Sequence, residues 1–404
     1  MKAGWVTKRL GDVTAKIGRG ATPLGGEEAY KTEGISLIRS LNVYDDGFRK
    51  AKLARIDDEQ ADGLSNVVVE PHDVLLNITG ASVARCCLAP DDSLPARVNQ
   101  HVCIIRPIKE KLDSALLHYL LISKSYKDRL LRTGEEGGST RQAITKAQLQ
   151  EFVVAYPESL PEQQRIVGIL DEAFDGIAIA KANAEKNLHN ARALFESHLQ
   201  SVFSQRGDSP VVPIGDVAEV FDGPHATPKT VDAGPVFLGI SALQDGKINL
   251  GETRHVTLQD FRQWTRRVKP QSDDVVFSYE TRLGQAAIIP EGLECCLGRR
   301  MGLVRVNRKR VDPRFFVYQY ISPPFRKFLD SKTVRGATVD RIVLKEFPSF
   351  PISLPSLAEQ ERMTNRLDKL RAETQRLESI YQQKLAVLDE LKKSLLHQAF
   401  NGML

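Results

Sequence analysis

No apolar run in the 404-residue sequence approaches the ~20 residues a membrane-spanning helix needs. The opening Met1-Lys2-Ala3-Gly4-Trp5 carries no apolar stretch of the kind that marks a secretory signal. Cysteine is scarce. The five present (Cys86, Cys87, Cys103, Cys295 and Cys296) are odd in number, and four of them form adjacent pairs. That pattern fits neither a disulfide framework nor a C-x-x-C zinc knuckle. The expectation is a reduced, cytoplasmic chain with no membrane partner. Enzyme signatures are missing too: no phosphate-cradling G-x-x-x-x-G-K-[ST] and no zinc-binding H-E-x-x-H occur. His72, His101, His225 and His255 have no partner at ligand spacing, so no metal site is expected and they read as structural or contact residues. What remains is an ordinary globular composition, 42% hydrophobic and 26% charged, which excludes a disordered or collagenous chain.

Charge is nearly balanced, at a net of +5. Its distribution is uneven: +2 over residues 1–157, −2 over 158–206, +4 over 207–355 and +1 over 356–404. The excess lies on the first and third segments, and a basic globular surface favours a polyanion such as nucleic acid.

The sequence contains one unit twice. Leu10-Gly11-Asp12-Val13 returns as Ile214-Gly215-Asp216-Val217, and Ala21-Thr22-Pro23 as Ala226-Thr227-Pro228. Asp73-Val74-Leu75-Leu76 returns as Asp274-Val275-Val276-Phe277, and Ile104-Ile105-Arg106 as Leu303-Val304-Arg305. Leu112-Asp113 matches Val311-Asp312, Ile122-Ser123 matches Ile321-Ser322, and Gly138-Ser139-Thr140 matches Gly336-Ala337-Thr338. Last, Leu160-Pro161-Glu162-Gln163-Gln164-Arg165 matches Leu357-Ala358-Glu359-Gln360-Glu361-Arg362. No single match is specific, but eight in collinear order with offsets between 197 and 205 point to a duplication.

Each unit begins with about 150 residues of short β-branched runs, turn signals and a helical stretch, which together predict an α+β lobe with its own core. A long helix follows. In the second unit its seam is expected at Met363, Leu367, Leu370, Thr374, Leu377, Tyr381, Lys384, Leu388, Leu391, Leu395 and Gln398. In the first, the seam is expected at Ile166, Leu170, Ala173, Ile177, Ala180, Ala184, Leu188, Ala191, Phe195 and Val202. The expected domains are therefore a lobe over 1–157, a helix over 158–206, a lobe over 207–355 and a helix over 356–404. Two units of one fold related by a pseudo-twofold axis would pack the helices antiparallel as a coiled coil separating two tandem lobes.

One motif invites an enzymatic reading. Ser322-Pro323-Pro324-Phe325 resembles the S-P-P-[YF] tetrapeptide with which DNA amino-methyltransferases hold a flipped base. Such an enzyme, acting alone, would also need an F-x-G-x-G turn for S-adenosylmethionine. None is present, and Phe221-Asp222-Gly223-Pro224 lacks the second glycine. The first unit has Ser123-Lys124-Ser125-Tyr126 at the matching place, so a helix break is the preferred account and a self-sufficient methyltransferase the alternative. Asp389-Glu390-Leu391-Lys392 could pass for a nuclease set but falls within the heptads, as a solvated face.

The remaining polar inventory suits binding. Lobe two has a dense basic stretch of Arg299, Arg300, Arg305, Arg308, Lys309, Arg310 and Arg314; lobe one has Arg49, Lys50, Lys52 and Arg97 beside the candidates that follow. Lysine and arginine neutralise phosphates, whereas base reading needs two-point geometry such as Arg on guanine or Asn/Gln on adenine. The DNA-contact candidates in lobe one are Arg19, Thr22, Lys31, Arg39, Asn42, Asn77, Thr79, Arg85, Asn99, Gln100, Ser139, Thr140 and Arg141. In lobe two they are Thr227, Lys229, Gln244, Tyr279, Thr281, Arg282, Arg299, Arg300, Arg335, Thr338 and Arg341. The copies diverge at these positions: Asn77-Ile78-Thr79 stands opposite Ser278-Tyr279-Glu280, and Asn99-Gln100-His101 opposite Gly298-Arg299-Arg300.

The lobe–helix–lobe–helix order, the twice-used Glu-Gln-x-Arg helix entry (Glu162 to Arg165, Glu359 to Arg362), the Leu-Gly-Asp-Val start and the Gly-[Ser/Ala]-Thr loop together resemble a type I restriction-modification specificity subunit, over essentially the whole chain. The resemblance implies a non-catalytic chain with two target-recognition domains, each reading one half of an asymmetric bipartite DNA site. It also implies that two methyltransferase subunits, which bring the S-adenosylmethionine, dock on the helices, and that restriction subunits join through that complex. No cofactor is expected on this chain itself.

Overall fold

The computed structural model describes residues 4–23, 25–135, 143–204, 209–336, 339–401 and 403–404. They form two compact units. One comprises Met1–Ala184 together with Gln383–Leu404, and the other Glu185–Gln382. Both units are α+β.

In the first unit an antiparallel sheet runs in the order Thr14–Arg19, Val102–Pro107, Val74–Asn77, Cys86–Leu88. Its two central strands are apolar without alternation because both of their faces are covered. Val74, Leu76, Cys103 and Ile105 face a core shared with the helix Ser114–Ile122. Leu75, Val102 and Ile104 point the other way, into a core under a second sheet. That sheet, ordered Ala54–Ile56, Ile35–Ile38, Ala96–Val98, Val68–Val69, contains a parallel pair at its centre.

The second unit repeats the plan. Its first sheet runs Ala218–Asp222, Met301–Val306, Val275–Ser278, Ala286–Ile288, and its second Arg254–His255, Val231–Leu238, Cys295–Leu297. Val275, Phe277 and Val304 face the helix-side core, while Val276, Met301 and Leu303 face the other. The identical tripeptides Cys86-Cys87-Leu88 and Cys295-Cys296-Leu297 are not copies of each other, for the first edges a helix-covered sheet and the second pairs with Val231–Leu238. All five cysteines are buried and unbonded. Burial pushes the Cys87, Cys103, Cys295 and Cys296 thiols up to about 12, which removes them as nucleophiles at neutral pH.

The buried polar groups show the duplication more clearly than the apolar ones. Asp73 takes a two-point bond from Arg106 (Nε 2.7 Å, Nη2 2.8 Å) and one from the Glu70 amide. Asp274 takes the same from Arg305 (2.9 and 2.7 Å) and from the Gln271 amide. Asp45 pairs with Lys127, as Asp245 does with Arg326. The Ser123 and Ser322 hydroxyls each donate to a carbonyl three residues back at 2.6 Å, where one helix stops and the next starts. Ser322 is therefore a helix break. Phe325 lies in an aromatic core beside Tyr320 and Phe328, with no exposed face for a flipped base.

The repeated Glu-Gln-x-Arg motif owes its glutamine to helix entry. Gln163, fully buried at the start of the long helix Leu160–Ser204, accepts from the Asp113 amide at 2.8 Å and donates to the Lys111 and Pro157 carbonyls at 3.0 and 2.9 Å. Gln360, at the start of the second long helix Leu357–Phe400, accepts from Asp312 at 2.9 Å and donates to Arg310 and Pro355 at 2.9 and 2.8 Å. One side chain thus satisfies three backbone groups that would otherwise be buried without partners.

Within each unit the two long helices pack antiparallel. In the first, Ile166 and Leu170 share a core with Leu396 and Ala399, Lys181 bonds Asp389 at 2.6 Å, and Lys392 lies 4.8 Å over the Phe174 ring. In the second, Leu199 shares a core with Leu367, Arg371 lies 5.5 Å from the Phe195 ring centre, and Arg192 bonds Glu378 at 3.0 Å. The first helix buries the expected Ile166, Leu170, Ile177, Ala184 and Ala191. On the second, the expected Leu367 and Thr374 are buried, the expected Leu377 and Leu391 are 36% and 44% exposed, and the unexpected Arg371 is buried. Arg371 is drawn in by the lobe, where it donates to the Asp245 carbonyl.

Candidate nucleic-acid interface

In each lobe a three-residue loop links a second-sheet strand to the central strand of the first sheet: Asn99-Gln100-His101 between Ala96–Val98 and Val102–Pro107, and Gly298-Arg299-Arg300 between Cys295–Leu297 and Met301–Val306. Asn99 is buried, and its side-chain oxygen accepts from the His101 amide at 3.1 Å. In lobe two Gly298 fills that place, where a Cβ would meet the Leu238 carbonyl at 2.3 Å.

The third loop residue pairs with the turn after the neighbouring strand. His101 Nδ1 lies 2.5 Å from the Thr79 hydroxyl, and Arg300 Nε lies 2.5 Å from Glu280. Thr79 and Glu280 each bridge to a further segment, through Ala143 and Arg341 respectively. The same crossing is therefore closed by a histidine–threonine hydrogen bond in lobe one and by an ion pair in lobe two. Arg300 adopts a left-handed backbone (φ 70°), a strain the ion pair opposes.

Each lobe carries a cleft, and that of lobe one is lined by its crossing residues. The lobe-one cleft, of about 600 Å³, is lined by Tyr44, Thr79, Ser82, Arg85 and His101 among others. Two guanidinium groups lie over the Tyr44 ring, Arg49 at 3.7 Å and Arg85 at 4.6 Å from its centre. The lobe-two cleft, of about 620 Å³, is lined by Asp222, His225, Trp264, Arg266 and Arg267 among others. Among the described residues Arg266 and Arg267 form no ion pair. Tyr44, Trp264, Arg266 and Arg267 were not among the candidates read from sequence. The adjacent arginines two residues beyond a tryptophan were the available signal, and nothing local marked Tyr44.

The structure sorts the predicted candidates. Asn42 and Asn77 are core residues rather than loop tips. Asn42 is fully buried and donates to the Arg49 carbonyl at 2.8 Å; Asn77 is fully buried and donates to the Ser40 carbonyl at 2.9 Å. Both shape the lobe and have no free edge for a base. Tyr279 is also buried, its hydroxyl on Asp222 at 3.0 Å, and burial with that carboxylate raises its pKa above the ordinary phenol range. Arg39 is held by Glu27 and the Lys52 carbonyl, and Arg282 by the Ser241 carbonyl. Lys31 pairs with Asp57, and Arg335 with Asp330.

Arg19, Thr22, Thr227, Lys229, Gln244, Thr281, Arg299 and Arg341 are exposed, and Thr79, Arg85, Gln100 and Arg300 partly so. Ser139, Thr140, Arg141 and Thr338 lie outside the described residues. The basic stretch of lobe two is not one patch. Arg305 and Arg308 sit toward the opposite end of the strand from Arg299 and are paired with Asp274 and Asp273, and Arg314 is paired with Asp312 and Asp368. Among the described residues no group of three or more His, Cys, Asp or Glu could hold a metal ion, and no helix is long and apolar enough to cross a membrane.

Comparison with known proteins gives a consistent picture. The sequence model for the type I restriction modification DNA specificity domain matches twice, over residues 2–189 and 207–386. A Methanocaldococcus jannaschii protein named as the type I restriction enzyme MjaX specificity subunit is 23% identical over 382 residues, 90% of this chain and 86% of that one. The EcoBI specificity subunit of Escherichia coli is 25% identical over 173 residues, 42% of this chain and 36% of that one. Among solved structures, a chain from a study of complex assembly and conformational transition in the type I restriction-modification system aligns over 99% of this chain and 98% of its own, with a TM-score of 0.74 at 18% identity. The HsdS subunit of Thermoanaerobacter tengcongensis aligns over 100% and 98%, with a TM-score of 0.63 at 19% identity.

Proposed function

As this chain belongs to the type I restriction-modification DNA specificity family, we propose that it is the non-catalytic sequence-reading subunit of a type I complex and that its two lobes read two different half-sites of one asymmetric, bipartite DNA target. The observation that carries this reading is the split between scaffold and tips. The two-point Asp73–Arg106 and Asp274–Arg305 tethers, and the Gln163 and Gln360 helix entries, are duplicated, with Arg106 holding Glu70 in addition. The crossings at Thr79–His101 and Glu280–Arg300 occupy the same place with unlike chemistry. A duplicated reader of one sequence would have kept both.

In this reading the chain works in the cytoplasm. Exposed lysine and arginine supply salt-dependent affinity for phosphate, and the polar groups at the loop crests supply discrimination between bases. The methyl transfer belongs to two partner methyltransferase subunits, which bring S-adenosylmethionine and dock on the long helices; restriction subunits join through them. Ile179, Leu194, Ile380 and Val387, each between 44% and 65% exposed on those helices, are apolar area of the kind a protein partner covers.

Mapping methylated adenines in the host genome, with this gene present and then deleted, tests the proposal. The expected result is loss of a single motif made of two unlike halves around an unread spacer. A continuous or palindromic motif, or no change, would refute it. Titration of the isolated chain with S-adenosylmethionine in a calorimeter should give no binding heat. A saturable signal would favour the alternative, a self-sufficient methyltransferase.

A further inference from the structure

We propose that the central residue of the three-residue loop is the base-reading position in each lobe: Gln100 reads an adenine in one half-site and Arg299 reads a guanine in the other. The inference rests on the family reading above and adds to it the residue and the base.

In each loop the flanking side chains are already consumed. Asn99 is buried and bonded within the loop, and Gly298 has no side chain. His101 is held on Thr79, and Arg300 on Glu280. The middle side chain is the one left to reach outward. Gln100 is partly exposed and Arg299 exposed, and among the described residues Arg299 forms no hydrogen bond or ion pair.

Gln100 is held in one orientation. The Thr22 hydroxyl donates to its amide oxygen, and its amide nitrogen lies 3.0 Å from His101 Nε2. With the amide donating there, His101 Nε2 is the acceptor, so its proton sits on Nδ1 and is donated to Thr79. The chain Thr22–Gln100–His101–Thr79 therefore engages both ends of the amide, its oxygen on Thr22 and its nitrogen on His101. One N–H and one oxygen lone pair stay unused. A donor beside an acceptor at that spacing matches adenine, whose N7 accepts and whose N6 amine donates in the major groove. Arg299 offers two parallel donors, which match guanine O6 and N7. His101 and Glu280 act as positioning residues.

The test uses the full chain with its methyltransferase subunits and reads the methylated motif. Gln100→Arg is expected to change one adenine of one half-site to guanine, and Arg299→Gln one guanine of the other half-site to adenine, the second half unchanged in each case. Gln100→Ala and Arg299→Ala should lower discrimination at that one position roughly 10- to 100-fold, the range of one bidentate pair. His101→Ala should relax the same position as Gln100→Ala. An unaltered motif, a change in both halves, or a change at a base other than the stated purine overturns the proposal. If a variant methylates nothing, selection of duplexes from a randomised half-site by the full chain decides. Retained wild-type preference, or loss of all DNA binding with an unchanged melting temperature, overturns it; preference lost at one purine supports it. Failure of the wild-type complex to methylate a bipartite motif would instead count against the family reading.

Discussion

The two lobes are alike in their aspartate–arginine and glutamine tethers and unlike at their loop crossings. Lobe one closes its loop crossing with Thr79, His101 and Gln100; lobe two uses the charged Glu280 and Arg300 with Arg299 beside them. Beneath those tips the two-point aspartate–arginine clamps and the helix-entry glutamines recur with closely similar distances, Arg106 adding a Glu70 ion pair. A buried polar group must keep all its partners or cost free energy, so it changes only in concert with them. A solvated tip has no such constraint and can drift toward a new base. The difference teaches that buried polar tethers record the common architecture of the lobes, and that their exposed counterparts record what each lobe recognises.

The comparison can be broken first at the clamps. Asp73→Ala and Asp274→Ala each leave a guanidinium without its buried partner. Each is expected to destabilise its own lobe by about 3–5 kcal/mol, the usual cost of halving a buried ion pair. Chemical denaturation should show the two costs equal to within about 1 kcal/mol. A large inequality would mean that the clamps are alike in geometry but not in energy.

Next come the helix entries. Gln163→Ala and Gln360→Ala each orphan three backbone groups and should cost about 2–4 kcal/mol, with loss of helical signal from the corresponding long helix. Circular dichroism with thermal melts checks this. A cost in only one copy would show that the entries have diverged.

The smallest expected effect lies at a buried difference. His118 occupies the place that Val317 takes in lobe two, and its Nε2 is buried without a partner. Burial depresses its pKa to about 4, with Lys392 acting in the same direction and Asp45 and Asp171 opposing. The unfolded chain therefore binds a proton near pH 6.5 that the folded lobe refuses until about pH 4, so stability falls as pH drops through that window. The full loss is about 3 kcal/mol at its acid end. His118→Val should flatten the acid limb of lobe one's stability and leave neutral stability nearly unchanged. An acid limb that survives the substitution would assign it to other groups.

Much of this was legible in the sequence, for reasons that differ by residue. The duplication showed through short matches such as Leu10 to Val13 and Glu162 to Arg165, because tethers and turn residues keep their identity when surfaces do not. The first long helix was legible as a seam because its alanines and isoleucines meet one partner face. The second was read less well. Arg371 is buried on lobe two through the Asp245 carbonyl, which heptad spacing cannot anticipate, and the expected Leu377 and Leu391 turn outward, although the expected Thr374 is buried. The site was the least legible part. Asn42, Asn77 and Tyr279 have the side chains of base readers but are spent on Arg49, Ser40 and Asp222, whereas Arg266 and Arg267 carried no motif.

The sequence by itself determined that one α+β unit with a long helix occurs twice, since periodicity, offset and the recurring Glu-Gln-x-Arg entry are properties of chain order alone. Only the tertiary structure decided which polar side chains are available. Asn77 and Gln100 are equally polar as letters; one is sealed under the Ser40 carbonyl and the other stands at a loop crest. Exposure is set by what distant segments bring alongside, and a hydrogen bond already made inside the protein is no longer on offer to DNA.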